Sequence, residues 1–303
     1  MQRIACIGEC MIELWQDQQH SDRMRRTFGG DTLNTAIYAA RCLPDIDAQV
    51  SYVTALGTDP FSTELLHAWQ EEKLDTGLVA QIDDHLPGLY IIRTDAQGER
   101  TFYYWRSQAA ARELFRCPAT ERIEQALQEY DFVYLSGITL AILDESSRER
   151  LFALLARLRE RGGKVGFDSN YRPRLWPKPD AARHCLQKMW AQTDLAFPTF
   201  EDEVALWQDV DPAATVARLH ALGVTEVVVK QGSKPCLVSD MNETHWVTGT
   251  PVAQPVDTTA AGDSFNAAYF SARLSGQTAV AAAAAGHRLA SQVIQHQGAI
   301  IPV

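Results

Sequence analysis

Short β-branched and apolar runs alternate along this chain with longer stretches of helical period, and that alternation restricts the possible folds more than any other feature. A run of period two cannot also present an apolar stripe at period 3.6, so each segment has one natural conformation. Strands are expected at 3–7, 50–56, 131–135, 164–168, 194–197 and 226–230, with helices at 33–42, 61–73, 120–129, 145–161 and 213–222. Strand, helix and strand in that order make a parallel crossover, whose right-handed sense puts helices on both faces of the sheet. The fold class expected is α/β, a three-layer, doubly wound and mostly parallel sheet. With 303 residues, 46% of them hydrophobic, and no repeat or linker, the chain is expected to form a single domain over 1–303.

One region breaks the alternation. Residues 88–94 and 100–106 are both β-rich and are separated by Asp95-Ala96-Gln97-Gly98-Glu99, a glycine-containing hairpin signal. An isolated hairpin is not stable in water, so strands from about 9–28 are expected to join it in a small sheet, a lid over the mouth of the main domain. Its outer face would expose Phe102, Tyr103, Tyr104 and Trp105, and a second copy of the chain could cover them, giving a homo-oligomer through the lid. A hairpin packed on its own core accommodates the same aromatics.

Net charge narrows the choice of partner. A formal charge of -10 argues against nucleic acid and against an anionic membrane surface, both of which call for a basic patch. An anionic small molecule would have to be held by a few local arginines. The apolar run after Arg3 is too short for a signal sequence, and no stretch approaches the about 18 apolar residues of a membrane span. The six cysteines form no Cys-x-x-Cys pair, which indicates neither a zinc site nor a disulfide framework and makes the cytoplasm the expected location.

The sharpest chemical signal is Asp257-Thr258-Thr259-Ala260-Ala261-Gly262-Asp263-Ser264-Phe265, leading into an apolar helix at 266–274. Small residues before a helix admit a ligand close to the backbone, and the free amides and dipole of the first turn favour an anion. Asp263 would stand in that turn, where a carboxylate can accept a hydroxyl proton during phosphoryl transfer. By themselves these residues fit an ordinary capped helix start equally well. A second glycine turn, Gly29-Gly30-Asp31-Thr32-Leu33-Asn34-Thr35-Ala36, also opens a helix and carries polar groups able to hold hydroxyls.

Together the two segments resemble the signatures of the ribokinase-like, or phosphofructokinase-B, carbohydrate kinases: Gly-Gly with a following Asn near the N-terminus and Asp-Thr-x-Gly-Ala-Gly-Asp near the C-terminus. The resemblance spans nearly the whole chain. It implies an α/β domain with a β-sheet lid, ATP and sugar meeting in the cleft, Asp263 as catalytic base, and the amides of Ala261 and Gly262 with their neighbours, Ala260 included, as the anion hole. It also implies Mg2+ with the nucleotide, possible use of a monovalent cation, and sugar contacts from Gly30 and Asn34. Ala260 departs from the family's usual Gly and so requires a backbone conformation open to an L-residue.

Three further places resemble the branch that phosphorylates 2-keto-3-deoxygluconate. In Tyr103-Tyr104-Trp105-Arg106, Tyr104 and Arg106 share one face of a strand, and a guanidinium fork beside a Tyr hydroxyl suits a sugar carboxylate; Tyr90 could close the same pocket. A solvent-facing arginine between core aromatics is the alternative. Asp168-Ser169-Asn170-Tyr171-Arg172 follows a predicted strand, at the end where open α/β sheets bind ligands, and the resemblance gives Asn170 and Arg172 to the phosphates and the substrate. Lys230, Gly232 and Ser233 match the nucleotide loop, although a plain hairpin explains them locally. The family's Asn-x-x-Glu is absent from Pro198-Thr199-Phe200-Glu201-Asp202-Glu203, so no metal ligand is assigned. The expected reaction is ATP-dependent phosphorylation of 2-keto-3-deoxygluconate at its terminal hydroxyl. Fructose or ribose as the acceptor, and a non-catalytic sugar or nucleotide sensor, are the alternatives. A dinucleotide-binding dehydrogenase is disfavoured, because no Gly-x-Gly-x-x-Gly follows the first strand.

Overall fold

A computed structural model describes residues 1–16, 22–43, 47–94 and 100–302. The chain enters a large sheet with β1 (Gln2–Ile7), leaves it for β2 (Met11–Gln16) and β3 (Met24–Gly29), and returns through α1 (Asp31–Cys42) to β4 (Ala48–Leu56). After α2 (Pro60–Glu71) and β5 (Val79–Gln81) it leaves again for β6 (Gly88–Thr94) and β7 (Arg100–Trp105). The second half runs α3 (Thr120–Leu127), β8 (Phe132–Ser136), α4 (Gly137–Ile142), α5 (Glu145–Glu160), β9 (Lys164–Asp168), α6 (Pro179–Trp190), β10 (Leu195–Ala196), α7 (Phe200–Trp207) and α8 (Pro212–Ala221). It closes with β11 (Glu226–Val229), β12 (Cys236–Asp240), β13 (Thr244–Val247), α9 (Ala261–Leu274) and α10 (Ala279–Val293).

The main sheet has the order β13-β12-β11-β10-β9-β8-β1-β4-β5 and is parallel from β5 to β11; β12 and β13 are antiparallel additions at one edge. Every residue of β8 is buried, as a strand covered by helices on both faces must be. Two apolar cores lie on either side of the sheet, one around Leu154, Phe167 and Trp190, the other around Tyr38, Tyr134 and Phe270. In register, Ile7 lies beside Leu135, Leu135 beside Phe167, Phe167 beside Ala196 and Ala196 beside Val227. The residues that end or directly follow these strands, Gly8, Ser136, Asp168 and Lys230 among them, are thus delivered to one edge.

The strands expected to form a lid make a second, smaller sheet of order β3-β2-β6-β7. Its middle pair, β2 and β6, is parallel, and the outer pairs are antiparallel. The hairpin turn at 95–99 and part of the expected 9–28 segment lie outside the described residues. Phe102, Tyr103, Tyr104 and Trp105 are 38–57% exposed, so the chain itself does not bury them.

Candidate active site

Helices α1 and α9 pack side by side with their N-termini together at the ligand-binding edge of the sheet, so two positive dipole ends converge there. Asn34, in α1, donates from Nδ2 to Asp263 Oδ2 at 2.8 Å and locks the two first turns to each other. The helix starts at Ala261, not at residue 266 as the apolar pattern suggested, which places Asp263 third in it. Desolvation by the surrounding protein, then the charges of Asp31 and Asp168, push its carboxyl up to about 7, against the opposing pull of Asn34 and Lys230. A half-buried carboxyl titrating near neutrality at a helix start is equipped to accept a proton.

The amides at the start of α9 are not equivalent. The Ala261 amide donates to Thr258 O at 3.3 Å, whereas among the described residues no acceptor takes the amides of Gly262 and Asp263. Those two amides are the ones open to an anion. A side chain at Gly262 would meet nothing nearer than Lys230 Nζ, at 3.5 Å, so the backbone is approachable and an ammonium stands beside it. Lys230 is buried and pairs with Asp168 Oδ2 at 2.6 Å; Asn266 Nδ2 donates to the same oxygen at 2.7 Å and to Tyr134 at 3.0 Å. The nucleotide-loop residues Gly232 and Ser233 sit in the turn between the antiparallel strands β11 and β12, so the segment is both a hairpin and a neighbour of the site. Gly232 has φ 58 and open space beyond its Cα.

Ala260 adopts φ 59, ψ 13, the left-handed region. This costs an L-residue about 1–2 kcal/mol, of which the flexibility of glycine in the unfolded chain offsets about 0.5–1. Ala260→Gly should raise stability by about 0.5–1 kcal/mol, a shift of roughly 1–2 °C in Tm by scanning calorimetry. A lower Tm would mean that the Ala260 methyl packs more usefully than its backbone is strained.

Asn170 lies in the turn that follows β9. Its Nδ2 donates to Asp31 Oδ2 at 2.6 Å, on the α1 side of the cleft, and its backbone amide donates to Asp168 Oδ1 at 3.0 Å. Its φ of 33 marks a turn that aims the side chain inward. Arg172 is largely exposed, 4.0 Å from Asp202 Oδ2, and is free to reach a phosphate. Asp202 faces the cleft, accepts from the Tyr171 amide at 3.1 Å and is pushed up to about 6, first by burial. Glu203 points the other way, buried against Arg218 at 2.6 Å, and belongs to the fold. Gly30 is glycine for a steric reason: a Cβ there would lie 2.2 Å from Glu9 O.

On the lid, Thr27, Glu13, Tyr90 and Tyr104 form one cross-strand row. Tyr90 donates its hydroxyl to Glu13, which also accepts from Thr27 at 2.8 Å; burial and the Glu13 charge raise the Tyr90 phenol and keep it protonated. The Arg106 guanidinium lies 5.8 Å from the Tyr104 ring centroid and pairs with Glu9. An arginine placed only to meet a sugar carboxylate would stand unpaired without an acidic sugar. Arg106 does not, because Glu9 already pairs with it. Glu9, Asp31 and Asp168 carry no site role in the sequence analysis; Glu9 lies two residues beyond β1, Asp31 directly follows the glycine turn and Asp168 ends β9, the positions where ligand groups collect.

A family model described as the pfkB family carbohydrate kinase matches residues 1–303. This chain belongs to that family. It is 51% identical over 303 residues to a 2-dehydro-3-deoxygluconokinase from Dickeya dadantii (strain 3937), covering 99% of this chain and 97% of that one. Among solved structures it resembles a 2-dehydro-3-deoxygluconokinase from Thermotoga maritima, with a TM-score of 0.85 and 20% identity over 99% of this chain and 94% of the other. A putative ribokinase from E. coli in complex with ATP and Mg2+ matches with a TM-score of 0.85 and 21% identity over 99% and 94%. At those identities the two structures speak for the fold. Within it, the paired glycine turns of this pfkB family chain meet at one point, as the Asn34–Asp263 bond shows.

Proposed function

We propose that this chain transfers the γ-phosphoryl group of ATP to the terminal hydroxyl of 2-keto-3-deoxygluconate, the compound also called 2-dehydro-3-deoxygluconate, giving the 6-phosphate. The 51% identity to a kinase of that name over almost the full length of both chains carries the reading. Asp263 takes the proton from the attacking hydroxyl, held by Asn34 and tuned by its acidic neighbours. The Gly262 and Asp263 amides, the Lys230 ammonium and Arg172 hold the phosphoryl oxygens, so catalysis is mostly positioning and charge stabilisation. Gly30, Tyr90, Tyr104 and Arg106 are the proposed sugar contacts, with Arg106 taking the carboxylate. Asn170 joins the sugar side through Asp31.

Among the described residues no cluster of three acidic, His or Cys side chains could hold a metal. Asp202, with one oxygen on the Tyr171 amide, suits Mg2+ carried mainly by the nucleotide, where the ion neutralises phosphate charge. A monovalent cation is an additional candidate cofactor. The exposed lid aromatics support a homo-oligomer through the lid. No helix among the described residues is long and apolar enough to cross a membrane, and the six cysteines are free; with the negative charge this supports a cytoplasmic enzyme without a nucleic-acid partner.

The charge-neutral Arg106–Glu9 pair favours a second reading, a kinase for a neutral sugar such as fructose or ribose. ATP consumption measured against 2-keto-3-deoxygluconate, fructose and ribose separates the two. A preference for the acid of about 10²-fold or more in kcat/KM is expected, about 2.7 kcal/mol. Equal values would defeat the acid assignment, and no turnover with any sugar would favour a sensor.

A further inference from the structure

The link between β1 and β2 carries the chain from the main domain into the lid, and Glu9 stands in that link. It is 2% exposed and pairs with Arg106, which follows the last lid strand. The pairing is incomplete on both sides: among the described residues Glu9 Oε1 and Arg106 Nε are buried with no hydrogen-bond partner. Space for this carboxylate depends on a glycine, since a Cβ at Gly88 would lie 2.8 Å from Glu9 Oε1. Half-satisfied buried ionic groups are costly, so the arrangement is stable only while each partner keeps the other charged.

We propose that Glu9 is a specificity-determining residue, an internal stand-in for the sugar carboxylate that holds the Arg106 fork until the acid substrate takes it over, and that Glu9 then accepts a proton from solvent. This rests on the assignment of Arg106 to the sugar carboxylate. A second carboxylate on the same guanidinium places like charges side by side in a water-poor site, and the buried one yields its charge. The groups facing Glu9 agree with that direction. Arg106 and Arg112 favour its ionised form, Asp31 opposes it, and burial is the largest influence, raising the carboxyl. Cys10 and Tyr52, the other titratable neighbours, are pushed up by burial and stay neutral.

Binding that takes up a proton weakens as pH rises. Calorimetric titration of the intact protein with 2-keto-3-deoxygluconate, in buffers of different ionisation enthalpy, should show uptake of roughly half to one proton per site and an affinity that falls across the alkaline range. Glu9→Gln should lose that uptake and bind the acid at least about fivefold more tightly, because the competing charge is gone. Asp263 titrates in both proteins, so the difference reads Glu9 alone. Equal uptake in the two proteins, weaker binding by the variant, or a flat pH dependence in the wild type would overturn the inference and leave the Arg106 assignment standing. If Arg106→Ala binds the acid as well as the wild type, that assignment fails first.

Discussion

Asp263→Asn should lose turnover by about 10²-fold or more while binding ATP normally and melting at least as high as the wild type in mildly alkaline solution. The activity loss follows from the removal of the proton acceptor. The stability expectation comes from the sign of the shift. Asp263 has its carboxyl pushed up to about 7, against an ordinary carboxylate value near 3.8, so the folded protein disfavours the ionised form and its stability falls as pH rises through that range. A neutral amide escapes that penalty and can still accept from Asn34 Nδ2 through its own oxygen. Loss of activity with unchanged or higher Tm is the signature of a group kept for chemistry at the expense of stability. In the wild type, kcat/KM for the sugar should rise with pH, with unit slope below about pH 7 where Asp263 loses its proton; Asp202, pushed up to about 6, titrates lower. Near-wild-type turnover by a folded Asp263→Asn protein would remove Asp263 from the mechanism.

Much of this site could be read from the sequence because strand ends and helix starts have chemical signatures, and the two glycine turns carry both. The α/β class, the lid strands and the position of Asp263 at a helix start follow from periodicity and small-residue turns. In sequence Ala261, Gly262 and Asp263 look like loop, and tertiary packing against α1 extends the helix to include them. Helix α6 went unrecognised although Pro179 marks its first turn, and α10 because a run of alanines has weak amphipathic contrast. Partnerships between distant residues were out of reach. Nothing in the sequence joins Glu9 to Arg106, Asn170 to Asp31 or Lys230 to Asp168, since each pair forms only when elements far apart in the chain meet in the fold.

Replacing Arg106 with Ala is expected to lower kcat/KM for 2-keto-3-deoxygluconate by about 10²-fold, mostly through KM, with KM for ATP little changed. The origin of the effect differs from that of an arginine left bare by a neutral sugar. Glu9 already balances the Arg106 charge, so fructose or ribose leaves the pair intact and incurs little penalty. Discrimination then comes from what the guanidinium adds for an acid: a planar fork in a nearly dry site, able to hold carboxylate oxygens with several donors. Arg106→Lys should recover only part of the loss, because a point charge cannot reproduce the fork. Removing the guanidinium also strands the Glu9 carboxyl, and a fold or lid defect could imitate a binding defect. The double variant Glu9→Gln, Arg106→Ala separates the two, since it carries no stranded charge. If the double variant keeps the high KM for the acid while its Tm recovers, the lost contact belongs to the sugar. Recovery of KM together with Tm, or an equal loss of ATP affinity in the single variant, would assign Arg106 to the architecture of the lid.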